Sequence, residues 1–209
     1  MRAYRHFLWI LLCSLVACQP ATSVPISGDT LLYDDFTNPA SGWDHFSSPE
    51  GTMDYDSSGY RFLINSEQTN FWSTPGLSFE DVRLEVDVAK LNGPDENRIG
   101  LICRYTDGNY YFFMVSSDGY YTIGKYIDGN IIQLGQDQMK FNPSINTGLA
   151  INHLRADCVG NTLTFYVNGH PVAQVEDTDI VEGDVGLLAG TFAVTGVDII
   201  FDNFVVLKP

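Results

Sequence analysis

Positive charge is scarce in this chain. Eleven Lys and Arg stand against 26 Asp and Glu in 209 residues, a net charge of −15. So acidic a protein repels phosphate backbones and anionic lipid, which argues against nucleic acid as a partner. Helical periodicity is missing too: no stretch sustains apolar residues at a 3.6-residue spacing. Gly-x-Ser-x-Gly, Cys-x-x-Cys and a phosphate-cradling glycine loop before a helix are absent, and with them three common enzyme signatures. The histidines His45, His153 and His170 are scattered, without metal-ligand spacing. The apolar run Phe7–Ala17 has eleven residues, short of the roughly 20 that a membrane-spanning helix needs.

That run instead suits the core of a signal peptide, preceded by Arg2 and Arg5 as a positive segment. It ends in Leu15-Val16-Ala17-Cys18, which resembles the lipobox of bacterial lipoproteins. The resemblance implies a signal peptide over residues 1–17, cleavage before Cys18, and acylation of Cys18 at its thiol and its new amine. More than one acyl chain gives stable anchoring. Residues 18–28, small, polar and Pro-containing, read as a lipidated tether, and the extracytoplasmic envelope surface is the expected location. Without Arg2 and Arg5 the mature chain carries 9 bases against 26 acids, a net charge near −17. Cys13 leaves with the leader and Cys18 takes lipid. Cys103 and Cys158 remain, either as a disulfide in an oxidising compartment or as two buried thiols.

Residues 29–209 have the size of one all-β domain. Alternating apolar runs, interrupted by turn signals, predict strands near 31–36, 60–66, 69–74, 81–91, 97–105, 109–116, 120–127, 130–134, 149–158, 162–168, 171–176, 184–190 and 196–207. Asn92-Gly93, Asp107-Gly108, Asp118-Gly119, Asp128-Gly129 and Asn168-Gly169 supply the positive φ angles of tight turns. The expected architecture is two stacked antiparallel sheets.

Residues 105–130 raise a sharper question, because both faces of the strand YYFFMV are apolar. If Asp118-Gly119 is a two-residue hairpin and Thr106–Asn109 a four-residue loop, alternation divides the side chains. Ile99, Leu101, Cys103, Tyr105, Tyr110, Phe112, Met114, Tyr121 and Ile123 then face the core. Gly100, Ile102, Arg104, Tyr111, Phe113, Val115, Thr122, Gly124 and Tyr126 share the other face. In the preceding strand Val82, Leu84, Val86 and Val88 point inward, which sends Arg83, Glu85 and Asp87 to that second face. The expected ligand-binding plate is Glu85, Asp87, Arg104, Tyr111, Phe113 and Tyr126, able to stack on a sugar ring and bond its hydroxyls. The alternative is a second, minor core roofed by loops. In HLRADC, Leu154, Ala156 and Cys158 share the inward parity, as Cys103 does, which supports a bridge at the core.

The segments LLYDDFTNPASGW, NFWSTPGLSFEDVRLEVDV, IGLICRYTDGNYYFFMVSSDGYYTIGKY, LTFYVNGHPVAQVED, GDVGLLAG and IIFDNFVVLKP together resemble the concanavalin A-like lectin/glucanase superfamily. More narrowly they are similar to laminin-G-like and three-keto-disaccharide-hydrolase-like domains of bacterial lipoproteins. The resemblance implies an all-β, two-sheet antiparallel jelly-roll sandwich over residues 29–209, with a curved sheet whose concave side often binds glycans. Laminarinase-type members carry Glu-x-Asp-x-Glu or Glu-x-Asp-x-x-Glu. Here Glu85-Val86-Asp87 matches, but Ala89 and Lys90 stand where the last Glu belongs. Glu85 and Asp87 lie about 6.5–7 Å apart along one strand, side by side rather than flanking a scissile bond. No catalytic residue is assigned and no cofactor is required. The superfamily also implies a structural calcium where the terminal strands pair, with Asp34, Asp35 and Asp202 as ligands beside Asn203; Asp202 alternatively caps a bulge. The expectation is a non-catalytic carbohydrate-binding or surface-recognition module on a lipid anchor, its partner a glycan or cell-surface polymer. The alternatives are a glucanase-type hydrolase and a structural or adhesion protein that binds another protein.

Overall fold

The computed structural model describes residues 29–209. The expected signal peptide, the expected tether and Cys18 lie outside the described residues. Among the described residues sixteen strands are present: β1 Thr30–Asp34, β2 Phe46–Ser48, β3 Gly51–Asp56, β4 Gly59–Ile64, β5 Asn70–Ser73, β6 Val82–Asn92, β7 Asn97–Thr106, β8 Asn109–Val115, β9 Tyr120–Ile127, β10 Asn130–Gln133, β11 Lys140–Phe141, β12 Asn152–Val159, β13 Thr162–Val167, β14 His170–Glu176, β15 Asp184–Thr191 and β16 Val197–Leu207. All thirteen expected strands are among them. The three additions are β2, β3 and β11. β2 and β11 are too short to show a pattern, and β3 (GTMDYD) carries two acids and a leading glycine.

The strands form two antiparallel sheets. One runs β14-β13-β12-β6-β16-β4-β3-β2, with β1 pairing the last part of β16; the other runs β10-β9-β8-β7-β15-β5, with β11 on β9. β16 serves two neighbours on one edge because its register shifts between Asp202 and Val205, where Asn203 takes a φ of 55°. Its first half pairs with β4 and its second with β1.

Alternation works as expected in the long strands. Val82, Leu84, Val86 and Val88 of β6, Leu154 and Ala156 of β12, and Ile199 and Phe201 of β16 point from the larger sheet into the interior. Leu101, Phe113, Ile123 and Leu187 meet them from the smaller sheet, and the Phe113 and Phe165 rings lie 5.7 Å apart. Cys103 of β7 and Cys158 of β12 form a disulfide across 55 residues of sequence. It joins the two sheets through the core.

The faces of β8 are the reverse of those expected. Tyr111, Phe113 and Val115 belong to the main core, and Tyr110, Phe112 and Met114 to a separate cluster on the outer face of the smaller sheet. Two one-residue shifts explain this. Asp107-Gly108 is a two-residue turn closed by Thr106↔Asn109, and a bulge between Cys103 and Thr106 then sets Cys103 opposite Tyr111. Arg104, with a φ of 55°, occupies that bulge. At the next turn Val115 pairs with Tyr121, and the Ser116 amide bonds the Tyr120 carbonyl. The loop Ser117-Asp118-Gly119 therefore has three residues, with Gly119 at a φ of 98°, the usual odd-length hairpin with a left-handed third position. The two shifts cancel, so Tyr121 and Ile123 face the core as expected while β8 is inverted.

Candidate functional site

The outer face of the smaller sheet is built in rows across neighbouring strands. Trp72, Leu188, Gly100, Met114 and Thr122 form one row, and Ile102, Phe112, Gly124 and Gln133 another. A third contains Tyr110, Tyr126 and Ile131, and a fourth Asn70, Gly190 and Arg98. Phe112, Met114 and Leu188 are buried here beneath partly covered Tyr105 and Tyr126. Glycine makes the packing feasible: a Cβ on Gly124 would lie 2.2 Å from the Phe112 ring.

Above this small core remains a groove of about 570 Å³, its open mouth included, lined by Asn70, Arg98, Tyr110, Gln133, Met139 and Phe192 among others. The face is a minor core with a groove left in it.

Aromatic rings run along one side. Tyr110 stacks on Tyr126 at 5.3 Å and 16°, and on Tyr105 at 5.9 Å and 28°. Trp72, 41% exposed, tilts toward Tyr110 at 6.4 Å. Burial, with the neighbouring Tyr126 and Tyr105, pushes the Tyr110 hydroxyl up to about 12, so it stays a protonated donor at neutral pH. Polar groups occupy the other side. Arg98 Nη1 donates to Asn70 Oδ1 at 2.9 Å, and Thr122 Oγ1 lies 3.4 Å from Gln133 Oε1.

The six residues expected to form one plate are divided among four places. Tyr126 alone lies on the groove face. Tyr111 and Phe113 are in the core, where the Tyr111 hydroxyl donates to Asp177 at 2.6 Å and accepts from the Ile180 amide at 3.1 Å. Arg104 is 2% exposed and donates to the carbonyls of Glu80, Ile180 and Gly160, and to Asp81. Its bulge turns it away from the sheet face to tie three loops together. Glu85 and Asp87 are on the outer face of the other sheet, because β6 and β7 belong to different sheets.

There the two acids meet His153, which sits opposite Asp87 on β12. Its Nδ1 lies 2.8 Å from Asp87 and its Nε2 3.4 Å from Glu85. Those carboxylates push His153 up to about 9, and the imidazolium in turn holds both acids below their ordinary values. Asn203 also donates to Asp87. The cluster is a satisfied ionic network rather than an opposed catalytic pair.

The expected calcium ligands do not converge, and among the described residues no three acid, His or Cys side chains gather as a metal site. Asp34 accepts from the Phe36 amide and from Trp43 Nε1, Asp35 from Thr37, and Asp202 from the Asn203 amide. Burial pushes the Asp202 carboxyl up, with the like charges of Asp87 and Asp35 adding to it.

Sequence reasoning missed Trp72, Arg98, Tyr110, Phe112 and Gln133. Arg98 was accessible, since it shares the parity of Gly100 and Ile102, already assigned to the second face. Tyr110 and Phe112 were hidden by the bulge. His153 was visible as the outward neighbour of Leu154, but not its pairing with Asp87.

No family model and no curated protein sequence matches the chain. Solved structures do. The carbohydrate binding module CBM66 from Bacillus subtilis aligns with a TM-score of 0.65 and 19% identity, over 80% of this chain and 96% of that one. A Bacillus subtilis protein of unknown function with a galectin-like fold gives 0.65 and 12%, over 87% and 96%. The GH43 protein BlXynB from Bacillus licheniformis gives 0.60 and 14%, over 87% of this chain and 40% of that one. The fold is thus a two-sheet jelly-roll sandwich of the galectin-like kind.

Proposed function

We propose that this chain is a non-catalytic glycan-binding module, held at the outer side of a bacterial membrane by lipid on Cys18. The observation that carries the reading is the groove on the outer face of the smaller sheet. Tyr110 lines one side, and the rings of Trp72 and Tyr126 flank it on the same sheet face, suited to the apolar face of a sugar ring. The other offers Arg98, Asn70, Gln133 and Thr122, suited to its hydroxyls. The neighbouring folds include a carbohydrate binding module, which supports the same reading. Glycoside hydrolysis in its usual form takes two carboxyl groups flanking the bond. The groove lining has no Asp or Glu, and Glu85 and Asp87 lie on the opposite sheet beside His153, which favours binding over cleavage.

Titration of the purified domain against a glycan panel tests the binding. Trp72→Ala removes a half-exposed ring without opening the core, so it should weaken binding about ten-fold, roughly 1.4 kcal/mol, at unchanged Tm. Unchanged affinity in that variant would place the ligand elsewhere. The anchor has its own test. Cys18→Ser should move the protein from the membrane fraction to the soluble one; retention in the membrane would refute lipidation.

A further inference from the structure

Among the described residues Arg98 is the arginine that meets no carboxylate. Arg61 pairs with Asp198 and Asp56, Arg83 and Arg155 with Asp157, and Arg104 with Asp81. In a chain with 26 acids, an arginine left without one calls for a reason.

Its position is fixed from two sides. Nη1 donates to Asn70 Oδ1 at 2.9 Å, and the guanidinium carbon lies 4.1 Å from the centre of the Phe192 ring. Asn70 and Arg98 reach each other across Gly190, which pairs with both. A Cβ there would lie 2.2 Å from the Asn70 side-chain oxygen. The glycine thus clears the path for the contact that aims the guanidinium. Of the five N–H donors that an arginine carries, only that one has a partner among the described residues. The group borders the groove, whose lining holds no acid. Burial without a compensating charge makes its protonated form less favourable, as expected of a partly desolvated cation that lacks a counterion.

We infer that the groove selects a saccharide carrying a carboxylate, such as a hexuronate residue, with that carboxylate on the free edge of Arg98. The inference rests on the glycan reading above and names its ligand class. A planar guanidinium offers two parallel N–H donors that match the two oxygens of a carboxylate. Sugar hydroxyls do not present that pair of negative oxygens. With the carboxylate on Arg98, the ring lies toward Tyr110 and Trp72, and other hydroxyls reach Gln133 and Thr122.

The test is calorimetric titration of the domain with oligosaccharides of galacturonate, glucuronate, mannuronate and guluronate. Each is paired with its methyl ester, which keeps the ring and removes the charge. At least one acid should bind ten-fold or more tightly than its ester. Arg98→Gln should abolish that preference, bringing each acid and its ester to within about two-fold of one another. Arg98→Lys, which keeps the charge but not the fork, should retain only part of the preference and serves as a second folded variant. Esters that bind as well as their acids would overturn the acidic specificity while leaving glycan binding intact, as would a preference that survives Arg98→Gln. If neither series binds, nor any member of the wider glycan panel, glycan binding itself fails.

Discussion

Arg104 shows how one residue decides what a sheet face presents. Its left-handed conformation inserts an extra residue opposite Tyr110, and every side chain of β8 then changes sides. Period-two alternation is a strong signal, but it does not reveal where it is interrupted. Nothing in IGLICRYTDGNYYFFMV marks the bulge, because both faces of the strand are apolar and either assignment buries aromatic rings. The correction carries a prediction. Tyr111→Phe removes the hydroxyl that serves both Asp177 and the Ile180 amide, and should cost about 2 kcal/mol in urea unfolding, since the buried amide loses its partner and Asp177 keeps only Lys125 and the Asp179 amide. Phe113→Ala should cost about 3–5 kcal/mol by opening a cavity in the main core. A Phe113→Ala variant as stable as wild type would restore the opposite face assignment.

The strands themselves were more legible than their neighbours. Every long strand was evident from alternation, and the inward sets of β6 and β12 followed directly; that of β7 holds only as far as Cys103, because the bulge at Arg104 sends the expected core residue Tyr105 to the outer cluster. What each strand lies beside was not evident, because strand order depends on long-range closure. Glu85 and Asp87 were therefore set next to Arg104 when their partner is His153 on β12. That pairing predicts a pH profile. His153 is raised in the fold, from an ordinary 6.5 to about 9. Its contribution is complete below about pH 6.5 and is lost as pH rises toward 9. The acids are lowered, so theirs is present above their ordinary values of 4.5 and 3.8 and is lost as pH falls below them. The network should contribute most between about pH 4.5 and 6.5. His153 is 42% exposed in its side chain, and screening limits the effect to about 1 kcal/mol. His153→Gln should flatten the decline in Tm between pH 6.5 and 9. A decline of equal slope in the variant would assign it to other groups.

Across the whole molecule, the disulfide and the sandwich were both foreseen, since Cys103 and Cys158 have inward parity on strands that face each other. Closing a loop of 55 residues should stabilise the fold by about 4 kcal/mol in the chain-entropy model. Alkylation with mass spectrometry should find no free thiol in the native domain. Cys103→Ala with Cys158→Ala should lower the urea midpoint accordingly, and a double variant with an unchanged midpoint would refute that role.

The place of β1 has a consequence in time. Thr30 pairs with Leu207, and β16 also lies between β6 and β4 near the middle of the larger sheet. No order of assembly completes that sheet before β16 is available. A chain emerging from a translocation pore with its first residues leading would hold β1, β4 and β6 with open edges until residues near 200 had passed. Folding would then be gated by arrival of the last strand rather than by local hairpins. With partners so distant in sequence, it should take milliseconds to seconds once begun. In such a passage Cys103 and Cys158 would already be outside and exposed to oxidants, so the bond between them could form early and shorten the search that β16 completes.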